Sequence, residues 1–168
     1  MSKIVTKGSD YALLLLADLA LQPAGEVLSI HEMSERNHLP ERFIANIVSK
    51  LIQARIVTSK RGFNGGIQLA RASNQISFRD VIEAVEGPVV FMDCQQGASL
   101  CDHELGCTMK SLWGEIQGTL VRSLEKVTIG DVVNRNKRSG DFEMLAHDPG
   151  SLPLATQQTD DKKERHSI

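Results

Sequence analysis

Apolar residues recur at three- and four-residue spacing in three stretches of the first third of the chain. Residues 7–21 carry such a stripe, which predicts a first helix. Residues 29–37 begin with the capping-box pattern S-x-x-E, which predicts a second helix. After a short break, a third helix is expected over 40–54, since it begins with a proline that suits a first helical turn.

The pattern then changes from helical to extended. Residues 56–61 are rich in β-branched side chains, residues 67–70 form a second short apolar run, and a glycine-rich segment containing Asn64 and Gly65 separates them. Two short strands around an Asn-Gly pair predict a β-hairpin. Two helices, a tight break, a third helix and a hairpin are the order of a winged helix-turn-helix. The predicted fold is therefore mainly α with a small β-hairpin wing.

Helical spacing returns after the hairpin. Residues 77–86 predict a fourth helix that starts at a serine cap and stops at Gly87-Pro88. A longer stripe over 109–127 predicts a helix of about 17 residues, and Thr128 can cap a short helix that ends near Asn134. An amphipathic helix this long, at the end of a small winged domain, indicates a dimerisation element. The alternative is that it covers its own core.

These elements divide the chain into four segments. Residues 1–87 are expected to form a winged helix-turn-helix DNA-binding domain, and 88–108 a ligand-binding loop. Residues 109–135 are expected to hold the dimerisation helix and the short helix after it. The polar residues 136–168 are expected to form a disordered tail.

Charge is distributed unevenly along the chain. Residues 1–71 carry nine Lys and Arg against six Asp and Glu, a net of +3, and residues 72–168 carry ten against fifteen, a net of −5. A basic first part favours nucleic acid as a partner. The apolar run at 11–16 is too short for a membrane span and no cleavage site follows it, so neither a membrane segment nor a signal peptide is expected. The predicted location is the cytoplasm, where thiols stay reduced.

A helix-turn-helix places its second helix, here the third helix of the chain, in the major groove of double-stranded DNA. Arginine there can pair with guanine and asparagine with adenine, while Phe43 can either support the fold or touch a thymine methyl group. A glycine-rich wing with cations at its base can contact phosphates or the minor groove. The candidate DNA-binding residues are Glu41, Arg42, Asn46, Ser49 and Lys50 on the helix, and Lys60, Arg61, Asn64 and Gly65 in the wing.

The three cysteines of the chain, Cys94, Cys101 and Cys107, lie in one segment with the spacing C-x6-C-x5-C. Soft sulfur ligands select zinc, copper(I) or iron–sulfur clusters, and an odd number excludes a closed set of internal disulfides. A structural zinc, a cluster and a thiol redox switch all fit this spacing. The chain has no nucleotide-binding glycine pattern, no H-E-x-x-H and no nucleophile elbow, so an enzyme is not expected.

Over roughly residues 1–135 the chain resembles the winged-helix, iron–sulfur-sensing bacterial repressors that include IscR and NsrR. The resemblance rests on S-D-Y-A-L at 9–13, R-G-x-x-G-G-I-x-L at 61–69, V-I-E-A-V-E-G at 81–87, and three cysteines ahead of a long helix. It implies a homodimer that binds palindrome-like operators. It also implies a [2Fe–2S] or [4Fe–4S] cluster whose state sets the affinity for DNA.

By this resemblance Cys94, Cys101 and Cys107 are three of the four cluster ligands. IscR-like members have a histidine three residues after the last cysteine, where this chain has Lys110. NsrR-like members use a carboxylate from the first helix of the partner subunit, and Asp10 stands at the matching position. The expected fourth ligand is therefore Asp10, and His103 inside the loop is the competing candidate.

Within the family the chain looks most similar to regulators of the SUF iron–sulfur assembly operon. The E-G-P segment at 86–88 and Trp113 in the long helix carry that similarity. It implies a regulator, mainly a repressor, of iron–sulfur assembly genes that senses iron–sulfur, redox or nitric oxide status. The alternatives are an NsrR-like nitric oxide sensor and a DNA-binding protein with a zinc site or a thiol–disulfide switch.

Overall fold

A computed structural model of the chain describes residues 5–23, 25–62, 65–91 and 107–139. Within these residues, three α-helices precede an antiparallel hairpin and three α-helices follow it, so the predicted fold class is confirmed. The helices before the hairpin are α1 (Lys7–Leu21), α2 (Ile30–Asn37) and α3 (Glu41–Gln53), and those after it are α4 (Phe78–Glu86), α5 (Thr108–Lys126) and α6 (Ile129–Ser139).

Reciprocal side-chain caps start three of these helices. The hydroxyls of Thr6, Ser29 and Ser77 each accept a hydrogen bond from a backbone N–H of the first turn, and a side chain at the third position bonds back to the cap. Such boxes satisfy N–H groups that have no partner inside the helix. The bond from the Ser29 N–H also lowers the pKa of the Glu32 carboxyl. The caps at Ser29 and Ser77 follow the sequence prediction.

Two helix boundaries differ from the predicted ones. Pro40 is the N-cap of α3 rather than its first helical residue, because its extended backbone precedes the first helical turn. The last helix runs to Ser139 instead of ending near Asn134. No glycine or proline interrupts residues 131–139, so nothing in that stretch stops a helix before Gly140.

The hairpin consists of strands β1 (Val57–Lys60) and β2 (Gly66–Leu69), with Val57 opposite Leu69 and Lys60 opposite Gly66. Leu28 extends this ribbon on the other side of β2, because it exchanges two backbone hydrogen bonds with Ile67. The wing is thereby fixed to the segment that leads into α2.

The core of the winged domain forms between α1, α3, α4 and the strands, and α6 closes it. Ile129 and Val133 of α6 are buried, and this helix packs against α1 and the short 3-10 helix Ser73–Gln75. The chain therefore leaves the domain along α5 and returns to it through α6. The largest buried side chains include Leu15, Leu16, Met33, Ile44, Leu51, Ile56, Ile76 and Ile82.

Candidate nucleic-acid interface and cysteine segment

Helix α3 has one buried face and one polar, exposed face. Its buried side chains are Ile44, Ile47, Val48 and Leu51. On the opposite face Glu41, Arg42, Asn46 and Ser49 are exposed. Such a helix, held by its apolar side and preceded by a tight turn in which His38 takes the left-handed conformation, has the arrangement of a recognition helix.

Three of these exposed side chains are available to a ligand. Arg42, Asn46 and Ser49 form no side-chain hydrogen bond or ion pair with the described part of the chain. Glu41 differs, since its Oε1 lies 2.8 Å from Nδ1 of His31. A guanidinium and a carboxamide in this state can turn their donors toward base edges without first breaking an internal contact.

Phe43 supports the fold. Its ring packs edge-on against Tyr11 of α1, with centroids 5.6 Å apart and the ring planes at 89°. Edge-to-face pairs of this kind are favoured by the charge distribution of aromatic rings. The contact joins α1, one residue after Asp10, to α3, one residue after Arg42.

Lys50 is placed differently from the other candidate DNA contacts. Its side chain is half-buried, and its ammonium donates a 2.6 Å hydrogen bond to the carbonyl of Val85 in the last turn of α4. The last carbonyls of a helix have no partner inside the helix, so this donor satisfies one of them. In this structure Lys50 connects the recognition helix to the end of α4.

The wing presents cations at its base. Lys60, the last paired residue of β1, and the following Arg61 are exposed and form no ion pair with described residues. The turn requires glycine at Gly65, where an added Cβ would lie 2.5 Å from the Lys60 carbonyl oxygen. Gly62 has φ +118°, a conformation that other residues rarely adopt. Asn64 lies outside the described residues.

The last turn of α4 is also tied to the start of α1. The Thr6 hydroxyl, which caps α1, donates a hydrogen bond to Glu86. Two residues beyond Gly87, the side chain of Val89 is buried. The end of α4 is thus bound to α1 and to α3 immediately before the chain enters residues 88–108, the cysteine segment.

Both described ends of the cysteine segment lie against α5. Phe91 donates its backbone N–H to the Gln117 carboxamide at 3.1 Å, and its ring lies 6.3 Å from that of Trp113. Cys107 is the N-cap residue of α5 and carries a half-buried free thiol. The partial positive charge of a helix N-terminus favours a negatively charged ligand atom there.

The other candidate ligands can be located only in part. Cys94, Cys101 and His103 lie outside the described residues. Asp10 is exposed in the first turn of α1 and its side chain forms no hydrogen bond or ion pair with the described residues, so its carboxylate is open to a ligand. Residues 5–91 and 107–139, apart from their short gaps, contain no group of three metal-ligating side chains.

Helix α5 leaves apolar side chains in solvent. Met109, Leu112 and Ile116 are 59%, 46% and 50% exposed, and Trp113 is 37% exposed. None of the 19 residues of this helix is buried in the single chain. A contiguous apolar face of this kind is typical of an interface with another chain.

A profile of the Rrf2 family, described as iron-dependent transcriptional regulators, matches residues 5–135. The chain belongs to the Rrf2 family. A protein of Haemophilus influenzae named as a helix-turn-helix-type transcriptional regulator is 31% identical over 133 residues, which cover 79% of this chain and 87% of that one. The Rrf2 protein of Nitratidesulfovibrio vulgaris is 26% identical over 129 residues, which cover 77% and 86% of the two chains.

Solved structures of two bacterial regulators share the fold of this chain. CymR, the global cysteine regulator of Bacillus subtilis, superposes with a TM-score of 0.67 at 25% identity, covering 80% of this chain and 98% of CymR. IscR of T. potens superposes with a TM-score of 0.64 at 24% identity, covering 80% and 89%. The comparisons confirm the predicted class, a DNA-binding transcriptional regulator of the Rrf2 type rather than an enzyme. Within the described residues, no helix of this family member is long and apolar enough to span a membrane.

Several contacts of this Rrf2 chain were not predicted from the sequence, among them two that involve acidic side chains. The Glu86 bond to Thr6 joins residues 80 positions apart, and the His31–Glu41 bond joins the two helices of the helix-turn-helix. The second had a readable signal. The readable signal is a histidine in the first turn of α2 and an acid at the first position of α3, two groups that can pair if the helices cross closely.

Proposed function

We propose that this Rrf2 protein is a homodimeric transcriptional regulator, mainly a repressor, whose operator affinity is set by an iron–sulfur cluster. The observation that carries the proposal is the arrangement of the last turn of α4. That turn is bonded to the recognition helix through Lys50 and to the cap of α1 through Glu86, and the cysteine segment follows it directly. A change in the cysteine segment therefore has a short physical route to the DNA-binding surface.

For DNA recognition, the recognition helix enters the major groove with Arg42 on a guanine, Asn46 on an adenine and Ser49 on a phosphate. Lys60 and Arg61 at the base of the wing bind the backbone or the minor groove, and Asn64 and Gly65 are proposed as further DNA contacts. The support is the exposure of these side chains on the described elements and the lack of competing partners there.

For ligand binding, Cys94, Cys101 and Cys107 hold the cluster, and Asp10 of the partner subunit completes the set. The described donors fit this assignment, because the Cys107 thiol stands at a helix N-terminus and the Asp10 carboxylate is exposed. A bound iron–sulfur cluster supplies bonds between chain segments that depend on iron, oxidation and nitric oxide. The anchoring of Phe91 on α5 keeps the start of the cysteine segment near the helix that Cys107 caps.

The homodimer forms through α5, whose apolar residues Met109, Leu112 and Ile116 are exposed in the single chain. Paired recognition helices must then match half-sites about 34–36 Å apart. A ligand from the first helix of one subunit links the cysteine segment of its partner to α1. The Tyr11–Phe43 contact passes a displacement of α1 to the recognition helix, which changes the fit of both helices to the operator.

We further propose control of iron–sulfur assembly genes. This rests on the E-G-P segment at 86–88, on Trp113 and on Asp10, which together resemble SUF regulators. Asp10 is shared with nitric oxide sensors of the NsrR kind, which is the alternative signal for the same site.

A second candidate function is cysteine-dependent regulation without a cluster. The similarity to CymR favours it, since that protein is named as a cysteine regulator and superposes with a TM-score of 0.67. In that case the three thiols would act either as a thiol–disulfide switch without a metal or as ligands of a zinc ion.

Metal and sulfide analysis of protein purified without oxygen separates these functions. A cluster protein is coloured, absorbs visible light and contains iron and acid-labile sulfide in equal amounts. Colourless protein with zinc would support the zinc site, and colourless metal-free protein that binds DNA would support the thiol switch. Either colourless result rejects the cluster.

Replacing Asp10 by alanine is expected to make the cluster labile or to alter its spectrum while the three thiols remain. The reason is that one iron would lose its only oxygen ligand from the chain. Visible absorbance followed during exposure to oxygen or a chelator measures this effect. His103→Ala is the matched comparison; a stable Asp10→Ala cluster together with a labile His103→Ala cluster would reverse the assignment.

Replacing Lys60 by alanine is expected to weaken operator and non-specific binding alike and to reduce the slope of log K against log salt by about one per half-site, because a phosphate contact is lost. Binding titrations at several salt concentrations measure the slope. Lys126→Ala is the matched control, since Lys126 is an exposed lysine in the last turn of α5, outside the helix-turn-helix and the wing, and it should keep the wild-type slope. An unchanged slope in Lys60→Ala would place the wing away from DNA.

A further inference from the structure

The first turn of α2 and the first residue of α3 meet in a small cluster of charged side chains. Nδ1 of His31 lies 2.8 Å from Oε1 of Glu41, and Nε2 of the same ring lies 3.6 Å from Oε1 of Glu35. The side chains of His31, Glu35 and Glu41 are 67%, 71% and 56% exposed. The cluster therefore lies on the surface, at the N-terminus of the recognition helix.

A carboxylate in this position is unusual for a surface that binds DNA. The N-terminal residues of a recognition helix contact base edges between two phosphate backbones, where an uncompensated negative charge is repelled. A carboxylate also has more lone pairs than one hydrogen bond uses, and in the major groove it can accept from the N4 amino group of cytosine. Glu41 thus suits base recognition if its charge is balanced and its side chain is held.

We propose that His31 is a positioning residue for base recognition: it holds the Glu41 carboxylate against the N-terminus of α3, balances its charge, and leaves it to accept from a cytosine amino group. The proposal rests on the proposed use of α3 in the major groove. It does not depend on the cluster, because His31 and Glu41 both belong to the helix-turn-helix.

The arrangement fixes the direction of a pH effect. The hydrogen bond to Glu41, followed by the charge of Glu35, raises the pKa of His31, and Glu32 adds to the same effect. The acids around the ring are thus Glu32 and Glu35 from α2 and Glu41 from α3. The protonated His31 ring favours the DNA-bound arrangement of Glu41. The contribution of His31 to DNA affinity is therefore present at low pH and is lost as pH rises through the raised pKa of His31. One proton per half-site limits the change to about tenfold per pH unit at each half-site.

The test is selection of duplexes from a randomised DNA pool by full-length protein, anaerobically, at pH 6 and pH 8. We expect a cytosine preference at one position of each half-site, about three- to tenfold stronger at pH 6. His31→Gln should remove the difference between the two pH values, and Glu41→Ala should remove the cytosine preference itself. His38→Asn is the matched control, because it removes a histidine from the same turn at a left-handed position that asparagine tolerates.

Several results would overturn the proposal. The first is a His31→Gln variant whose cytosine preference equals that of wild-type protein at pH 6 and also at pH 8. The second is wild-type protein whose selected sequences show no cytosine preference, or a cytosine preference that does not change with pH. If His31→Gln does not fold, the ring of wild-type His31 can be titrated by NMR with and without the selected duplex. An identical pKa in both states would then reject the proposal. Failure of wild-type protein to select any duplex would instead reject the proposed sequence recognition by α3 in the major groove.

Discussion

Protein in which Cys107 is replaced by alanine should lose its iron, its acid-labile sulfide and its visible absorbance on purification without oxygen. The chain has three cysteines, and the other two, Cys94 and Cys101, are already assigned as ligands, so no further thiolate can take the place of Cys107. Because the cluster sets operator affinity in this account, the variant should bind the operator as iron-free wild-type protein does. Typical coupling between two sites corresponds to a factor of about 5 to 150 in affinity.

The control for this variant is Ser111→Ala. Ser111 is exposed on α5, one turn beyond Cys107, and the change leaves the helix and its cap unaltered. It should retain iron, sulfide and regulated binding. Wild-type amounts of iron and sulfide in Cys107→Ala would show that this thiol is not a ligand.

Replacing Arg42 by alanine should weaken operator binding by about 1–3 kcal/mol for each half-site, or a factor of about 5 to 150. The exposed guanidinium has no partner in the described structure, so the loss comes from the contact with DNA and not from the fold. Affinity for a scrambled duplex should fall much less, because base contacts contribute little to non-specific binding. Fluorescence anisotropy with both duplexes measures the two affinities.

Gln53→Ala provides the comparison for Arg42→Ala. Gln53 is the last residue of α3 and is exposed, but it lies at the end of the helix that is far from the base-reading turn. The Gln53→Ala variant should bind the operator with the affinity of wild-type protein. An equal loss on operator and scrambled DNA in Arg42→Ala would assign Arg42 to the phosphate backbone.

The helices that were predicted well are those marked by local sequence patterns, namely capping residues and apolar stripes. Serine caps at 29 and 77 mark the starts of α2 and α4, and the apolar stripe over 109–127 marks α5. Each signal acts within one or two helical turns, so a single chain reveals it. The exposed apolar face of α5 agrees with the dimer interpretation, since those residues do not cover the core of their own chain.

Contacts between residues that are far apart in the sequence could not be predicted from such local patterns. Lys50 is a lysine on a helix predicted to bind DNA, and only the packing of α3 against α4 shows that its ammonium reaches Val85. Likewise, α6 reads as a short addition to α5, whereas its Ile129 and Val133 fill the core beside α1. In both cases the partner is chosen by tertiary packing, which composition and spacing do not encode.

The proposed control of operator affinity by the cluster is tested most directly by titrating one operator duplex with iron-loaded and iron-free protein under anaerobic conditions. We predict affinities that differ by a factor of about five or more between the iron-loaded and iron-free protein. Cys107→Ala should bind with the affinity of the iron-free protein whether or not it has been treated with iron. Equal affinities of the iron-loaded and iron-free protein would contradict the proposed control, because the ligand at the cysteine segment would then have no effect on the DNA-binding surface.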